Sequence, residues 1–445
     1  MRLVEPALPR RAFLTTTAAG LTLPRILQAR EAGGGVRKRP TAVIQVWLWG
    51  GASQLETYDP KPDAPAEYRG PYGTIPTSVP GLEISELLPR HARVMDRVAV
   101  LRSVHHKEND HQAGMHLCLT GHSPQKDPFV ESSHPSVGSV VARTRGSNQR
   151  GLPPYVRIGW NPDEKPWRDL PYRAATWGAR YDPMELLTVA EEDSYRTSSL
   201  DLVAGLTTGR LEGRRALLKR FDSLRRRLDA TGTMSTMDHF HRLATDMLTT
   251  EKARQAFDLE KEDPRLRDRY GRHRSGQTYL LARRLVEAGV TFVTVIDPGF
   301  GQVPNSYGWD MHHKLERGME HCAPPFDQAL TALIEDVHDR GLDRDVLVLV
   351  WGEFGRTPRI NKFAGRDHWA NLQSVLISGG GLRMGQVIGS STDKGEVPRD
   401  RPLWAHDVLA MLYRHLGIDP RRTFPNDAGR PVFVLPKGEV IEELV

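Results

Sequence analysis

The chain has 445 residues, 39% hydrophobic and 26% charged, a globular balance that excludes a disordered polymer and fits one large domain or two smaller ones. The formal charge of +6 lies wholly in residues 1–39, where eight Lys/Arg accompany two acids; the body beyond holds 53 of each sign. A formally neutral body directs no global field at DNA, RNA or an anionic membrane, so no nucleic-acid partner is expected.

At the start of the chain, Pro9-Arg10-Arg11-Ala12-Phe13-Leu14 resembles the twin-arginine export signal and precedes a weakly apolar stretch from Thr15 to Leu23. That stretch is too short to remain as a membrane anchor, and no later segment reads as transmembrane. Residues 1–32 are read as the signal, with cleavage after Ala29 or Ala32 left open, and 33–40 as a Gly-rich linker. The twin-arginine translocase is then the export partner, and the mature chain resides in the periplasm or cell envelope without a transmembrane anchor. An ordinary basic helix start is the competing reading of the arginine pair.

The elements follow in order. Thr41 to Trp49 predicts a strand closed by Gly50-Gly51, and a polar loop with Glu56 and Asp59 comes next. Asp63 to Pro80 reads as irregular surface, Glu86 to Met95 as a helix, and Val98 to Val104 as a strand opening into His105-His106-Lys107-Glu108-Asn109-Asp110-His111. A helix through Leu119 is then capped by Thr120-Gly121. Within it, Cys118 reads as a buried thiol; whether it pairs with Cys322 stays open. The aromatics Trp160, Trp167, Tyr172, Trp177 and Tyr181 read as packing groups more readily than as a sugar platform.

From about 207 to 288 the pattern is helical and charged, with stripes at Leu217, Leu218, Phe221, Leu224 and Leu228 and at Phe240, Leu243, Met247 and Leu248. Arg225, Arg226 and Arg227 read as a solvated face. Val290 to Ile296 is a strand ending in Asp297-Pro298-Gly299, and a helix from Phe326 to Arg340 leads to the strand Asp345 to Trp351. Strands at Ser374 to Ser378 and Val432 to Leu435 and a helix from His406 to Leu416 complete the pattern. Strand, helix, strand is the unit of a mainly parallel sheet, so 41–445 is read as one α/β domain.

Four of these strands end in loops rich in His, Asp and Glu: 50–59, 105–111, 297–313 and 352–368. Parallel strands would bring the loops to one sheet edge, where open α/β sheets bind ligands. Carboxylates and imidazoles drawn from separate strand ends are how hydrolytic metal sites are built, and Asp310-x-His312 and Asp367-His368 have compatible spacing.

Gly50-Gly51-Ala52-Ser53-Gln54-Leu55-Glu56-Thr57-Tyr58-Asp59-Pro60-Lys61-Pro62, the segment from Asn109-Asp110-His111 to Thr120-Gly121, Gly308-Trp309-Asp310-Met311-His312, Gly352-Glu353-Phe354-Gly355-Arg356-Thr357-Pro358 and Gly365-Arg366-Asp367-His368-Trp369 resemble the family named domain of unknown function 1501. The resemblance implies an exported bacterial protein of planctomycete type. It also implies a fold similar to the alkaline phosphatase and sulfatase superfamily, a three-layer α/β/α sandwich with a mainly parallel sheet whose enzymes hydrolyse phosphate or sulfate esters at metal ions. His368 matches the superfamily's later His ligand, and Asp310 with His312 its Asp and His pair. The nucleophile motif is absent: nine residues before Thr120 stands His111. Gly50-Gly51 replaces the first metal-binding Asp, Glu353-Phe354 an Asp-His pair, and Glu56 stands where the family most often has Asp.

Two readings stay open. In the first, Asp310, His312, Glu353, Asp367 and His368 hold one or two divalent ions (Zn, Mn, Ca or Mg). His111, beside Asp110, or a water attacks a small-molecule or glycan ester, and Arg356 or Arg366 grips its oxygens. In the second, the fold persists as a non-catalytic envelope binding or assembly module, with Arg366 and Asp367 as a structural ion pair.

Overall fold

Seven consecutive buried residues, Ala42–Leu48, form strand β1, and the two faces of that strand define the two layers packed on it. The computed structural model describes residues 40–159, 170–186, 233–297, 302–303, 306–426 and 428–445. The export signal, residues 33–39 of the linker, Trp160, Trp167, the stripe from Leu217 to Leu228 and Arg225, Arg226 and Arg227 lie outside them.

In chain order the elements that matter to the site are β1, β2 (Ala99–His105), α1 (His111–Thr120), α2 (Val137–Thr144), β3 (Tyr155–Ile158) and β4 (Met184–Leu186). Then come α3 (Arg274–Ala288), β5 (Phe292–Asp297), α4 (Leu315–Asp339), β6 (Val346–Trp351), β7 (Gly355–Arg356) and β8 (His368–Trp369). The last are β9 (Gln373–Gly379), β10 (Gln386–Ile388), β11 (Leu403–Trp404) and α5 (Ala405–Leu416).

One nine-stranded sheet runs β10-β2-β9-β6-β1-β5-β3-β4, with β11 also paired to β2. Every pairing is parallel except the two made by β9, which runs against β6 and β2. Ile44, Val46 and Leu48 pack with Leu281 and Leu285 of α3 and Phe326, Leu330 and Leu333 of α4. On the opposite face, Val43 and Trp47 share a cluster with Met115 of α1, Val140 of α2 and Leu409 and Leu412 of α5. The result is the α/β/α sandwich expected from the sequence.

Several boundaries moved. The stretch Glu86 to Met95 is helical only from His91–Arg97, as a 3-10 helix. Conversely, α4 begins at Leu315 and runs through Pro324 and Pro325, because Leu315, Met319, Cys322 and Ala323 are all buried and packing outweighs local propensity. Asp63 to Pro80 contains a short helix, Ala66–Arg69, and a strand, Thr74–Pro76; the last strand is Pro431–Phe433. Of the second stripe, Met247 is buried, Leu243 and Leu248 are half-buried, and Phe240 is exposed. Cys118 and Cys322 lie in the clusters on opposite faces of the sheet and are not cross-linked.

At the C-terminal end of α1, four imidazoles gather. His122 and His134 stack with parallel rings 3.9 Å apart, and His116 accepts from the Ser133 amide at 3.2 Å while facing the His122 carbonyl at 2.8 Å. Burial, with like-charge neighbours, pushes His134 down to about 3 and His406, near Lys437, to about 4; burial also takes His116 to about 4 and lowers His122. A histidine depressed below its unfolded value near 6.5 stabilises the fold above that value and loses the contribution as pH falls through the folded pKa. Stability measured by urea titration is therefore expected to drop between about pH 6.5 and 4, by at most about 1.4 kcal/mol per pH unit for each histidine. A His134→Phe, His406→Phe variant should show a shallower drop; an unchanged slope would exclude these rings as its source.

Candidate metal centre

Strands β1, β2, β5 and β6 all point the same way, so their C-terminal loops share one edge. Two glycines let the loops touch. Gly50 and Gly51 have φ of +100° and +80°, and a Cβ on Gly50 would lie 2.4 Å from the Asp310 amide, one on Gly51 2.5 Å from the Phe354 carbonyl. The sequence signal for this contact was the Gly-Gly pair at the end of β1.

Four side chains meet there: His111 from the start of α1, Asp310 and His312 from the segment after β5, and His368 from β8. Their ligand atoms all lie within 4.8 Å of one another. The Nε2 atoms of His111, His312 and His368 stand 3.3, 3.0 and 3.3 Å from the Asp310 carboxylate. Each Nδ1 faces an acceptor elsewhere: Glu353 Oε1 at 2.7 Å from His111, Asp367 Oδ1 at 2.7 Å from His312, and the Asn109 carbonyl at 3.0 Å from His368. In neutral rings these acceptors place the proton on Nδ1, which frees each Nε2 to ligate an ion held beside the Asp310 carboxylate. His312 and His368 Nε2 are only 3.0 Å apart, a spacing that a shared cation relieves.

Without an ion the surrounding carboxylates favour protons on His111 and His312, which a bound ion would displace. Burial alone would raise the Asp310 carboxyl, but hydrogen bonds from the three histidines and the Arg356 charge hold it far below the usual range. Burial opposes protonation of His111, and Asp310 and Glu353 overcome it, raising the ring to about 9; Asp310 foremost also raises His312. Burial lowers His368, with Arg356 and His111 adding to the effect. With neutral imidazoles, the carboxylates of Asp310, Glu353 and Asp367 against the Arg356 guanidinium leave two negative charges, which a divalent ion balances. The residues present thus fit such an ion.

Each residue singled out from sequence has a definite place. Asp310, His312 and His368 come together, and His111 joins them as a fourth potential ligand. Glu353 is fully buried behind His111, its Oε1 also accepting from the Gly50 amide at 2.9 Å, and Asp367 stands behind His312. Asp110 points its carboxylate at the Gln112 and Ala113 amides as the N-cap of α1. Arg356 lies under Asp310 at 2.5 Å and spends its other donors on the Gly50, Gly51 and Arg366 carbonyls. Arg366 is turned away, and its partner is Glu56, not Asp367. Sequence reading assigned no role to Trp49, stacked on His111 at 5.4 Å, or to Phe354, stacked on His368 at 4.4 Å. Their places beside Gly50 and Glu353 were the only signal.

A family model described as "Protein of unknown function (DUF1501)" matches residues 40–445. The chain belongs to this family. A comparison with curated proteins finds no match. Among solved structures, this DUF1501 member is similar to the lipoteichoic acid synthase LtaP from Listeria monocytogenes, at 10% identity and a TM-score of 0.37 over 91% of this chain and 76% of that one. It is also similar to the PsFucS1 sulfatase from Pseudoalteromonas sp. (11%, 0.35, 93% and 73%) and the phosphonate monoester hydrolase of Agrobacterium radiobacter (10%, 0.41, 91% and 77%). At such identities and TM-scores, what those enzymes act on does not transfer to this chain. No helix among the described residues is long and apolar enough to cross a membrane.

In this DUF1501 member the two carboxylates behind histidines differ in setting. Glu353 is wholly buried, whereas the Asp367 side chain is 54% exposed and water can substitute for it. Glu353→Gln removes the charge yet keeps an oxygen for both Gly50 and His111, so metal affinity should fall toward the roughly 100-fold end of the range for lost outer partners. Asp367→Asn should sit at the roughly tenfold end. Competition titrations with a chelator read both; equal losses would refute the distinction.

Proposed function

We propose that this protein is an exported metal-dependent hydrolase of phosphate or sulfate esters, with His111, Asp310, His312 and His368 as the ligands of one divalent ion. What supports the reading above all is the convergence of three Nε2 atoms on the Asp310 carboxylate while every Nδ1 bonds elsewhere. Three imidazoles and one carboxylate suit a borderline ion such as Zn, with the harder Mn after it, better than Ca or Mg, which take oxygen ligands. Bound there, the ion supplies Lewis acidity for ester cleavage. Glu353, Asp367 and the Asn109 carbonyl fix the tautomers and orientations of the three rings. Arg356 neutralises Asp310 from below, and Trp49 and Phe354 wall the histidines. The ester class rests on the motif resemblance, and export through the twin-arginine translocase to the periplasm or envelope on Arg10-Arg11 and the apolar stretch behind it.

Elemental analysis of the mature protein, purified without chelators, tests the centre. About one equivalent of Zn or Mn per chain is expected, lost together with turnover of aryl phosphate or sulfate in His368→Ala. One observation favours a second reading, a binding or assembly module: four protein ligands already fill a tetrahedral shell, as in structural zinc sites. Metal at full occupancy with no ester hydrolysis would support that module.

A further inference from the structure

Exposure of the centre is lopsided. It is nil at Glu353, 16% at His111 and 19% at His368, then 32% at His312 and 54% at Asp367. The open side is therefore the edge formed by the loop 357–367 between β7 and β8. That loop is fastened to the segment carrying His312. The Arg366 amide donates to Met311 O at 2.9 Å, Lys314 to Phe363 O at 3.1 Å and Leu315 to Ala364 O at 2.8 Å. The Asn361 side chain bridges His312 O and Asp367 Oδ1 at 3.0 and 3.1 Å. Lys314 and Ala364, at φ +49° and +54°, are two of only four non-glycine residues with positive φ among the described residues. Backbone held this way concentrates at ligand clamps and active sites.

What the rigid loop presents is an aromatic ring. Phe363 has its amide bonded to Asn361 Oδ1 at 2.9 Å and its carbonyl to Lys314, yet it is 51% exposed. Its ring leans on His313, with centroids 4.5 Å apart, and Lys362 Nζ lies 5.0 Å from its centroid. Lys314, Arg359 and Lys362 are exposed on the two fastened segments, while the adjacent Asp367 is engaged by His312 and Asn361. A metal-loaded centre is formally neutral, so attraction of an anion falls to this basic rim.

We propose that Phe363, His313, Lys314, Arg359 and Lys362 form a binding subsite for the non-reacting part of an anionic sugar ester. The proposal rests on the hydrolase reading of the centre. The flat face of Phe363 takes the C–H face of a sugar ring, and the cations attract the charge of the anionic ester.

Calorimetric titration of the mature, metal-containing protein tests this with glucose 6-sulfate, glucose 6-phosphate, phenyl sulfate, inorganic sulfate and inorganic phosphate. The sugar esters should bind about tenfold tighter than the inorganic anions, and Phe363→Ala should erase that margin while metal content per chain stays the same. Lys362→Ala should weaken sugar ester binding and flatten its dependence on salt. Sugar esters that bind no tighter than the inorganic anions, a margin that survives Phe363→Ala, or phenyl sulfate binding as tightly as glucose 6-sulfate would each overturn the subsite. Absence of the margin in the unsubstituted protein, with metal and turnover present, sinks the subsite alone. A chain without metal or turnover sinks the hydrolase reading, yet the Phe363-dependent margin remains measurable.

Discussion

Asp310→Ala should strip the metal from the folded protein. Asp310 is the one anion among the four candidate ligands, and all three Nε2 atoms lie within 3.3 Å of its carboxylate. Its removal deletes a ligand and leaves the Arg356 charge facing three imidazoles across the gap. The loss of affinity should exceed the roughly 100-fold that a missing outer partner costs. Arg356 keeps the Gly50, Gly51 and Arg366 carbonyls, so the fold should survive, and circular dichroism with elemental analysis on one sample separates the two effects. Full metal content in this variant would move the ion elsewhere. Failure to fold would leave Asp310→Asn to decide, since asparagine keeps an acceptor for the rings but no charge for the ion.

Much of this arrangement was legible because β-branched apolar runs announce buried strands, and loops after such strands must meet when the strands are parallel. The Gly50-Gly51 pair, Asp310-x-His312 and His368 could be picked out on those grounds. What sequence could not rank was distance from the centre. Glu353 and Asp367 have the same chemistry as a ligand, and only the fold shows each one bonded to the Nδ1 of a histidine whose Nε2 faces Asp310. His111 was read as an attacking group for want of a neighbouring nucleophile motif; both of its ring nitrogens face carboxylates. The early start of α4 was illegible for another reason. Two prolines mark a helix boundary locally, and burial of the preceding turn reverses that preference only once the sheet is in place.

Arg366 is where a charged residue near the site invites a role in substrate binding, and its surroundings argue for stability instead. The guanidinium is fully buried, its Nε and Nη2 on Glu56 at 2.6 to 3.1 Å and its remaining donors on the carbonyls of Tyr68, Thr357 and Pro358. Glu56, equally buried, accepts also from Ser53. Arg366→Met strands a buried carboxylate and Glu56→Leu a buried guanidinium, so each alone should cost about 3–5 kcal/mol in urea unfolding. The double variant removes both charges and leaves three carbonyls without a donor and the Ser53 hydroxyl without its acceptor. Its cost should fall short of the sum by about 0.5–3 kcal/mol, because the two sites share one interaction. A folded Arg366→Met with wild-type stability and a raised KM for esters would instead return Arg366 to the substrate. Additive losses would mean that the pair is not coupled, and that the loop 357–367, which carries Phe363 and Asp367 beside the centre, relies on its bonds to Glu67, Met311, His312, Lys314 and Leu315.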